Sequence, residues 1–196
     1  MRAVVTGAAG ALGQAVVQAF TSAGWDVTGL RRQDADLLDF AAVQSALRPL
    51  RAIDAVVCCA GGYSEAPVAE LEAGALRRLF DLNVVTALNA IRAALPLMNG
   101  RGAIVTVASR AAAAGEAGLA AYTASKSALL RLTEAVAAEH PGIRCNTVLP
   151  GMIDTPANRA DMPGADTVSW VPPRKIAGVI LYLCTDDTVS GASIPV

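Results

Sequence analysis

The chain has little charge and few aromatic side chains for its size. Of its 196 residues, 17% are charged and 4% are aromatic, whereas 54% are hydrophobic; an ordinary soluble domain has a charged share of about 25%. This composition excludes a disordered chain. The 16 basic and 17 acidic residues leave a net charge of -1, which argues against an acidic tail and against a basic surface for phosphates. We therefore expect no nucleic-acid partner.

Long apolar runs are also missing. No uninterrupted run reaches the roughly 18 residues of a membrane span, because Arg92 interrupts the best candidate, and we expect no membrane partner. Residues 1–20 are apolar enough to be compared with a secretory signal peptide. However, Gly7, Gly10 and Gly13 recur within them at every third position, which fits a strand, a turn and a helix better.

Cysteine and histidine are too sparse and scattered to suggest a metal centre. His140, the only histidine, follows Glu139 at the predicted end of a helix, where a cation meets the negative end of the helix dipole. No second ligand lies near it, so we predict no metal site. The cysteines lack a framework spacing, which favours reduced thiols in a cytoplasmic protein over a disulfide; they are Cys58, Cys59, Cys145 and Cys184.

The length is that of one domain with a core of its own. We expect residues 1–196 to form a single domain, with no room for a second one that binds the substrate. The apolar excess is more than a small monomer easily hides. It therefore indicates a homo-oligomer, either a homodimer or a homotetramer.

Short β-branched runs alternate with longer helical stretches. This pattern predicts an α/β fold in which helices cover both faces of a parallel sheet. The predicted strands are residues 2–5, 26–30, at most a very short one within 31–38, then 53–59, 103–108, 143–149 and 192–196. The predicted helices are residues 14–23, 40–47, 68–79, 81–98, 121–139 and 172–183.

A glycine-rich turn, Thr-Gly-Ala-Ala-Gly-Ala-Leu-Gly, occupies residues 6–13 between the first predicted strand and the first helix. Its glycines allow a sharp turn and a close backbone approach, and the helix N-terminus presents free N–H groups to a pyrophosphate. A purely structural turn is the alternative. The context predicts a nucleotide site formed by Gly7, Ala9, Gly10, Ala11, Leu12 and Gly13.

The side chains after the second predicted strand favour NADP(H) over NAD(H). An acid that takes the ribose hydroxyls of NAD belongs at the carboxyl end of this strand, but Asp26 stands at its beginning. The carboxyl end carries Arg31 and Arg32, which suit a 2'-phosphate; two solvated loop arginines are the alternative. Asp36 and Leu37 are placed to touch the adenine, unless they cap the next helix.

A further group of polar side chains suggests acid–base chemistry. Tyr122 and Lys126 are four residues apart on a predicted helix and therefore share one face. A phenol has a pKa near 10, and a neighbouring ammonium favours its phenolate. Ser109 ends a predicted strand before this helix, and Asn83 lies in the preceding helix.

These ordered motifs resemble those of the short-chain dehydrogenase/reductase family. The resemblance runs from residue 3 to about residue 155. It rests on the glycine turn, Ala60-Gly61, Asp81-Leu82-Asn83-Val84, Val107-Ala108-Ser109, Tyr122-Thr123-Ala124-Ser125-Lys126, Ile143-Arg144-Cys145-Asn146, Pro150-Gly151 and Thr155.

The resemblance implies a role for each catalytic candidate. Tyr122 would exchange a proton with the substrate oxygen, and Lys126 would lower the pKa of Tyr122 and bind the nicotinamide ribose. Ser109 would hydrogen-bond the substrate, and Asn83 would hold a water that relays protons. The alternatives are a strand-end cap for Ser109, a packed polar group for Asn83 and a solvated side chain for Lys126.

The resemblance also implies the fold and the activity. The fold would be a Rossmann-type doubly wound parallel sheet of strand order 3-2-1-4-5-6-7, with the helices at 81–98 and 121–139 pairing between subunits. The activity would be reversible hydride transfer between NADP(H) and a carbonyl or alcohol on a small to medium molecule. Further cofactor contacts would come from Ala60, Gly61, Gly62, Pro150, Gly151, Ile153 and Thr155.

The chain departs from the family pattern at several places. The glycine spacing is more typical of its extended and atypical branches, and Cys59 replaces the usual asparagine. The connection at 31–38 lacks a full helix, which predicts an open adenine side. Residues 152–173 form a short substrate loop, where Met162 and Trp170 are candidate lining residues unless Trp170 packs at a subunit interface. No Asp-Gly-Gly tail follows.

The short loop predicts an open site and a bulky or loosely selected substrate. It also supports an alternative function, a protein that binds or senses NADP(H) without turnover. Intact Ser109, Tyr122 and Lys126 argue against that alternative. Another reaction on the same fold, such as epimerisation, is a second alternative, although members of that kind usually carry a larger C-terminal substrate domain.

Overall fold

Strands and helices alternate along the chain in the computed structural model, which describes residues 1–196. The strands are β1 (Arg2–Thr6), β2 (Asp26–Leu30), β3 (Ala55–Cys58), β4 (Gly102–Val107), β5 (Ile143–Leu149) and β6 (Ser193–Pro195). The α-helices are α1 (Ala11–Ser22), α2 (Phe40–Leu47), α3 (Ala73–Phe80), α4 (Thr86–Ala94), α5 (Ala120–Glu139), α6 (Pro156–Asp161) and α7 (Pro173–Thr185).

The six strands form one parallel sheet in the order β2-β1-β3-β4-β5-β6. The predicted doubly wound parallel sheet is therefore confirmed, with one strand fewer than the predicted order contains. The very short strand considered within residues 31–38 does not form, because this segment bonds to itself. The backbone N–H of Asp34 donates to the carbonyl oxygen of Arg31 at 2.9 Å, and the Asp34 carboxylate accepts from the N–H of Arg31 at 2.9 Å.

The core lies on both faces of the sheet, because successive strand residues point to opposite sides. Val4, Val56 and Ile104 face α2, α4 and α5, and all three side chains are fully buried. Val5 and Val57 are equally buried on the other face, against α1 and α7. Burial on both faces explains why the inner strands are continuous apolar runs.

The helix predicted over residues 81–98 consists of three parts. It begins with a π-helical turn at Asp81–Val85, continues as α4 and ends in a 3-10 turn at Leu95–Leu97. Pro96 explains the tight final turn, because proline has no N–H for an α-helical bond. Single π-helical turns inside helices often occur at functional sites, and this one carries Asn83.

The loop at residues 152–173 contains one short helix, α6, and a single parallel bridge between Ile153 and Val171. It follows β5, so it rises from the same sheet edge as the glycine turn. Separately, no helix of the chain combines the length and the apolar character that crossing a membrane requires.

Candidate active site

The glycine turn holds the end of β1 against the loop that follows β3. Gly7 has a φ of +65°, and a Cβ on it would stand 2.7 Å from the backbone nitrogen of Ala60. A Cβ on Gly13 would run into the carbonyl group of Gly7. The hydroxyl of Thr6 also accepts a bond from the N–H of Ala60 at 3.3 Å. The turn therefore brings the loop after β3 directly beside the start of α1.

The start of α1 fits a phosphate group. Gly10 is the N-cap residue, its backbone is extended, and no side chain caps the first turn, so the helix presents free N–H groups. A Cβ on Gly10 would meet only the carbonyl oxygen of Gly7, at 3.4 Å. The remaining space around Gly10 opens into a cleft. This cradle has the shape and polarity that the pyrophosphate of a dinucleotide requires.

A cleft of about 350 Å³ runs past the carboxyl ends of β1 and β3. This is the topological switch point, where doubly wound sheets bind their ligands. Seven predicted cofactor residues line it: Gly7, Gly10, Arg32, Asp36, Leu37, Ala60 and Gly61. Prediction from sequence missed six further lining residues: Leu30, Ala35, Leu38, Cys59, Leu82 and Thr86.

The two predicted phosphate-binding arginines differ in their surroundings. Arg31 forms an ion pair with Asp34, with 2.9 Å between the Arg31 Nε and the carboxylate oxygen, whereas Arg32 lines the cleft and has no ion pair. Asp36 also lines the cleft, and its carboxylate accepts the N–H of Leu38 at 3.0 Å. The cap of α2 is Asp39 rather than Asp36.

Lys126 is a buried cation with no carboxylate partner. Its side chain is 6% exposed, and its Nζ donates to the carbonyl oxygen of Val107 at 2.9 Å. Burial lowers the pKa of Lys126 to about 8, against a smaller opposite effect of the Cys59 thiol. A Cβ on Gly61 would stand 3.3 Å from this Nζ. The Lys126 ammonium therefore lies next to Gly61, which lines the cleft.

Tyr122 precedes Lys126 by one turn of α5, and the Lys126 Nζ lies 5.9 Å from the centre of its ring. The pKa of Tyr122 is raised, mainly by burial; the Ser109 hydroxyl opposes this effect and the Glu116 charge adds to it. The expectation that Lys126 lowers this pKa stays a prediction, because the Lys126 charge is not among the causes of the shift.

Hydrogen bonds fix Ser109 beside α5. Its side chain accepts the N–H of Ala111 at 3.2 Å and so caps the short 3-10 helix Arg110–Ala113. Ser127 on α5 donates to the carbonyl oxygen of Ala112 at 2.8 Å, which ties this turn to the helix that carries Tyr122.

Asn83 is fully buried and joins three parts of the site. Its Oδ1 accepts the N–H of Gly62 at 2.8 Å, and its Nδ2 donates to the carbonyl oxygen of Gly62 at 3.1 Å and to the Ser125 hydroxyl at 2.9 Å. Ser125 in turn donates to the carbonyl oxygen of Tyr122 at 2.8 Å. Both amide hydrogens of Asn83 are thus used to hold the loop after β3 against α5.

The remaining predicted contacts follow β5 and lie outside the cleft. Pro150 accepts the N–H of Arg110 at 3.0 Å, and Gly151 donates to the carbonyl oxygen of Val196 at 3.2 Å. Thr155 caps α6 by accepting the N–H of Asn158 at 3.1 Å, and Ile153 forms the bridge to Val171.

The other predicted cofactor residues fall around the glycine turn and at Gly62. Ala9 and Ala11 are exposed, Leu12 is half-buried and Gly13 is buried. A Cβ on Gly62 would stand 2.6 Å from the Leu82 side chain. These residues shape the turn and the loop after β3, but they do not line the cleft itself.

Tyr63 is a site residue that the sequence analysis did not single out. Its ring packs edge-on against Tyr122, with 5.0 Å between the ring centres and 71° between the planes. The sequence feature that could have identified Tyr63 is its position directly after Ala60-Gly61-Gly62, in the loop that follows β3. The loop that is predicted to supply cofactor contacts therefore also reaches the predicted catalytic tyrosine.

His140 lies at the predicted helix end, and the cysteines lie in β3, directly after β3, in β5 and in α7. All four thiols are free, and burial raises the pKa of Cys58 to about 12. Cys59 is half-buried at the cleft, and burial also raises its pKa. His140 is the C-cap residue of α5.

Comparison with known proteins adds independent support. The family model for the short chain dehydrogenases matches residues 39–165. The chain is 35% identical over 178 residues to a 2-(R)-hydroxypropyl-CoM dehydrogenase of Xanthobacter autotrophicus, which covers 79% of this chain and 69% of the relative. It is 32% identical over 219 residues to a 2,3-dihydro-2,3-dihydroxybenzoate dehydrogenase of Escherichia coli, which covers 93% and 88%.

A solved structure with the same fold is the blue fluorescent protein from a metagenomic library in complex with NADPH. It superposes with a TM-score of 0.90 at 31% sequence identity, over 100% of this chain and 95% of that one. Sequence and structure agree with the family that the motifs predicted. The chain therefore belongs to the short-chain dehydrogenase/reductase family and is an oxidoreductase of that family.

Proposed function

We propose that this protein is an NADP(H)-dependent oxidoreductase that interconverts a carbonyl and an alcohol on a small to medium molecule. One observation carries the proposal: the Lys126 Nζ lies behind Gly61, at the wall of the glycine cleft, on the same helix as Tyr122. Residues 1–196 form the single nucleotide-binding domain, and residues 152–173 form its substrate loop.

The chain's own groups perform the proton chemistry. Tyr122 donates its phenolic proton to the substrate oxygen during reduction and accepts one during oxidation, while the Ser109 hydroxyl donates a hydrogen bond to the same oxygen. Asn83 and Ser125 hold the Tyr122 backbone and the Gly62 loop in register. When bound, the nicotinamide supplies or accepts the hydride.

Lys126 assists the proton transfer by electrostatics. Its charge favours the phenolate that Tyr122 forms during reduction, and its position behind Gly61 suits a hydrogen bond to a ribose hydroxyl. A pKa of about 8 means that the ammonium form predominates at neutral pH. A water molecule held at Asn83 would exchange protons with Lys126 and so complete the proton path from the site to the solvent.

Arg32 is the residue on which the NADP(H) preference rests. It lines the cleft at the carboxyl end of β2 with its guanidinium free of ion pairs, whereas Arg31 is bound to Asp34. A free guanidinium there suits a 2'-phosphate, because it offers several N–H donors to the phosphate oxygens.

Calorimetric titration with NADPH and NADH tests this assignment. Wild type should bind NADPH more tightly than NADH, and Arg32→Ala should weaken NADPH binding toward the NADH value. Arg31→Ala is the matched control and should cause a smaller loss. Failure of both nucleotides to bind wild type would refute the proposal, and NADPH binding without turnover of any carbonyl would favour a sensing protein.

We further propose that the protein is a cytoplasmic homodimer or homotetramer. Four unpaired thiols suit a reducing compartment. The apolar composition suits a covered surface, and α4 and α5 are the helices through which subunits would pair.

A further inference from the structure

One wall of the site beside Tyr122 is aromatic and open to solvent. Tyr63 packs its ring against Tyr122 at 5.0 Å between centres, yet 60% of Tyr63 is exposed. The exposed part of this ring is accessible to a molecule bound beside Tyr122. Tyr63 therefore borders the space next to the predicted proton-transfer group.

Two carboxylates belong to the same wall. The Tyr63 hydroxyl donates to Glu65 at 2.8 Å. The loop that carries Glu116 is joined to the Tyr63 loop by a bond from the Ala66 N–H to the Gly118 carbonyl oxygen at 2.8 Å. Neither Glu65 nor Glu116 forms an ion pair with a basic side chain.

The charge of Glu65 acts on Tyr63, and the charge of Glu116 acts on both phenols. Partial burial and then the Glu65 contact raise the pKa of Tyr63 to about 12, and Glu116 adds to the effect. Glu116 also contributes to the raised pKa of Tyr122, after burial. The negative charge is therefore close to the place where a substrate must bind.

The basic side chains around the site are placed differently. The Lys126 ammonium is buried and donates to the carbonyl oxygen of Val107. Arg110 follows Ser109, but its guanidinium lies against Gly151, where a Cβ would stand 3.8 Å from the Arg110 Nε. Gly151 follows β5, whereas the tyrosine wall follows β3 and adjoins α5. The Arg110 guanidinium and the carboxylates of Glu65 and Glu116 thus border different sides of the site.

We propose, building on the proposed function, that Tyr63, Glu65 and Glu116 recognise a cation, so that the preferred substrate is an alcohol or carbonyl compound bearing a protonated amine. The ring offers the amine an aromatic surface, and the carboxylates offer it opposite charge. A substrate with a carboxylate or phosphate at this position meets repulsion instead.

Three ketone probes of similar shape test the charge preference. They are acetophenones with a para aminomethyl, hydroxymethyl or carboxylate group, compared by kcat/KM with NADPH in excess. One carboxylate at about 4 Å in water changes the affinity for a unit charge about fivefold. We expect the aminomethyl ketone to exceed the hydroxymethyl ketone, and the latter to exceed the carboxylate, by at least about fivefold each.

Matched variants locate the preference. Glu65→Gln/Glu116→Gln should bring the ratio between the aminomethyl and carboxylate ketones close to one. Glu70→Gln/Glu72→Gln removes two exposed carboxylates from the neighbouring segment and should keep the wild-type ratio. Tyr63→Leu should lower kcat/KM for the aminomethyl ketone more than for the carboxylate. Equal rates for the three ketones in wild type, or a preference for the carboxylate, would overturn the proposal and point to Arg110.

A binding measurement separates this inference from the proposed function. Benzylammonium and benzoate are titrated into the protein and followed by ligand NMR line widths. Even if no ketone is reduced, benzylammonium should bind more tightly than benzoate, and this difference should be lost in Glu65→Gln/Glu116→Gln. That result would still support recognition of a cation by Tyr63, Glu65 and Glu116. Equal binding of the two ions would refute it even where the reductase activity is established.

Discussion

At the scale of single residues, burial of the Lys126 ammonium lowers the stability of the folded protein. Its ammonium is buried without a carboxylate, and burial lowers its pKa from 10.5 to about 8. Because the folded-state pKa lies below the unfolded value, the unfolded chain binds the proton more tightly. The contribution of Lys126 to the free energy of unfolding should therefore rise as the pH increases from about 8 to about 10.5, and the difference between wild type and a variant without this lysine isolates it.

Lys126→Met should make the protein more stable and inactive. Near neutral pH we expect a gain of about 1–2 kcal/mol, because the desolvation cost of about 3 kcal/mol disappears while one hydrogen bond of about 1 kcal/mol is lost. Urea denaturation across the pH range measures both effects. Lys175→Met, at an exposed lysine of α7, is the control, and a destabilised Lys126→Met would contradict the account.

The raised pKa of Tyr122 predicts different pH profiles for the two directions. The phenol is protonated at neutral pH, so reduction should proceed there and slow as the phenol ionises. Oxidation requires the phenolate and should accelerate as the pH rises. Initial rates with the ketone probes and their alcohols test this; an oxidation rate that does not depend on pH would show that Tyr122 is not the base.

Residue types and spacing were sufficient to predict the catalytic candidates, but not their electrostatics. The spacing of Tyr122 and Lys126 on one helix face follows from helical periodicity. The direction of the Lys126 ammonium, toward Val107, depends on how far α5 stands from β4. For the same reason the sequence could not show that Tyr63 contacts Tyr122.

At the scale of elements, the same substitution should have opposite effects in two helices. Gly13→Ala in α1 places a Cβ against the backbone of Gly7 and Ala8 and should cost about 1–3 kcal/mol and weaken NADPH binding. Gly178→Ala in α7 meets no atom within 4 Å and should stabilise by about 0.5–1 kcal/mol. Denaturation midpoints compare the two; equal midpoints would remove the packing argument for the glycine turn.

Element boundaries followed from the sequence where periodicity was strong. The helix at residues 120–139 was predicted within one residue. The π-helical turn at Asp81–Val85 was not predicted, because its residues carry the same apolar pattern as an α-helix. The strand considered within residues 31–38 competed with an Asp34 turn, and local hydrogen bonds to Arg31 decided the outcome.

At the scale of the whole molecule, we expect self-association. An apolar composition of 54% and helices α4 and α5 with many small side chains suit close helix packing between subunits. Light scattering after size exclusion should give two or four times the chain mass of 20.0 kDa. A mass of one chain at micromolar concentration would contradict the predicted oligomer.

The architecture was predictable because alternating strands and helices permit few right-handed arrangements. That arrangement alone brings the glycine turn, Gly61 and Ser109 to one edge of the sheet. The wall formed by Tyr63, Glu65 and Glu116 was not predictable. It depends on contact between the loops at residues 62–67 and 115–119, which are far apart in the chain. The proposed preference for a substrate bearing a cation therefore rests only on the three-dimensional arrangement.

The central claim is that Tyr122 transfers the proton during NADPH-dependent carbonyl reduction. Its most direct test is the rate of NADPH oxidation with the ketone probes for wild type, Tyr122→Phe and the exposed-tyrosine control Tyr182→Phe, after calorimetry has shown equal NADPH binding. We expect a loss of about 10²–10⁴-fold in kcat for Tyr122→Phe and a wild-type rate for Tyr182→Phe. A wild-type rate in Tyr122→Phe would contradict it.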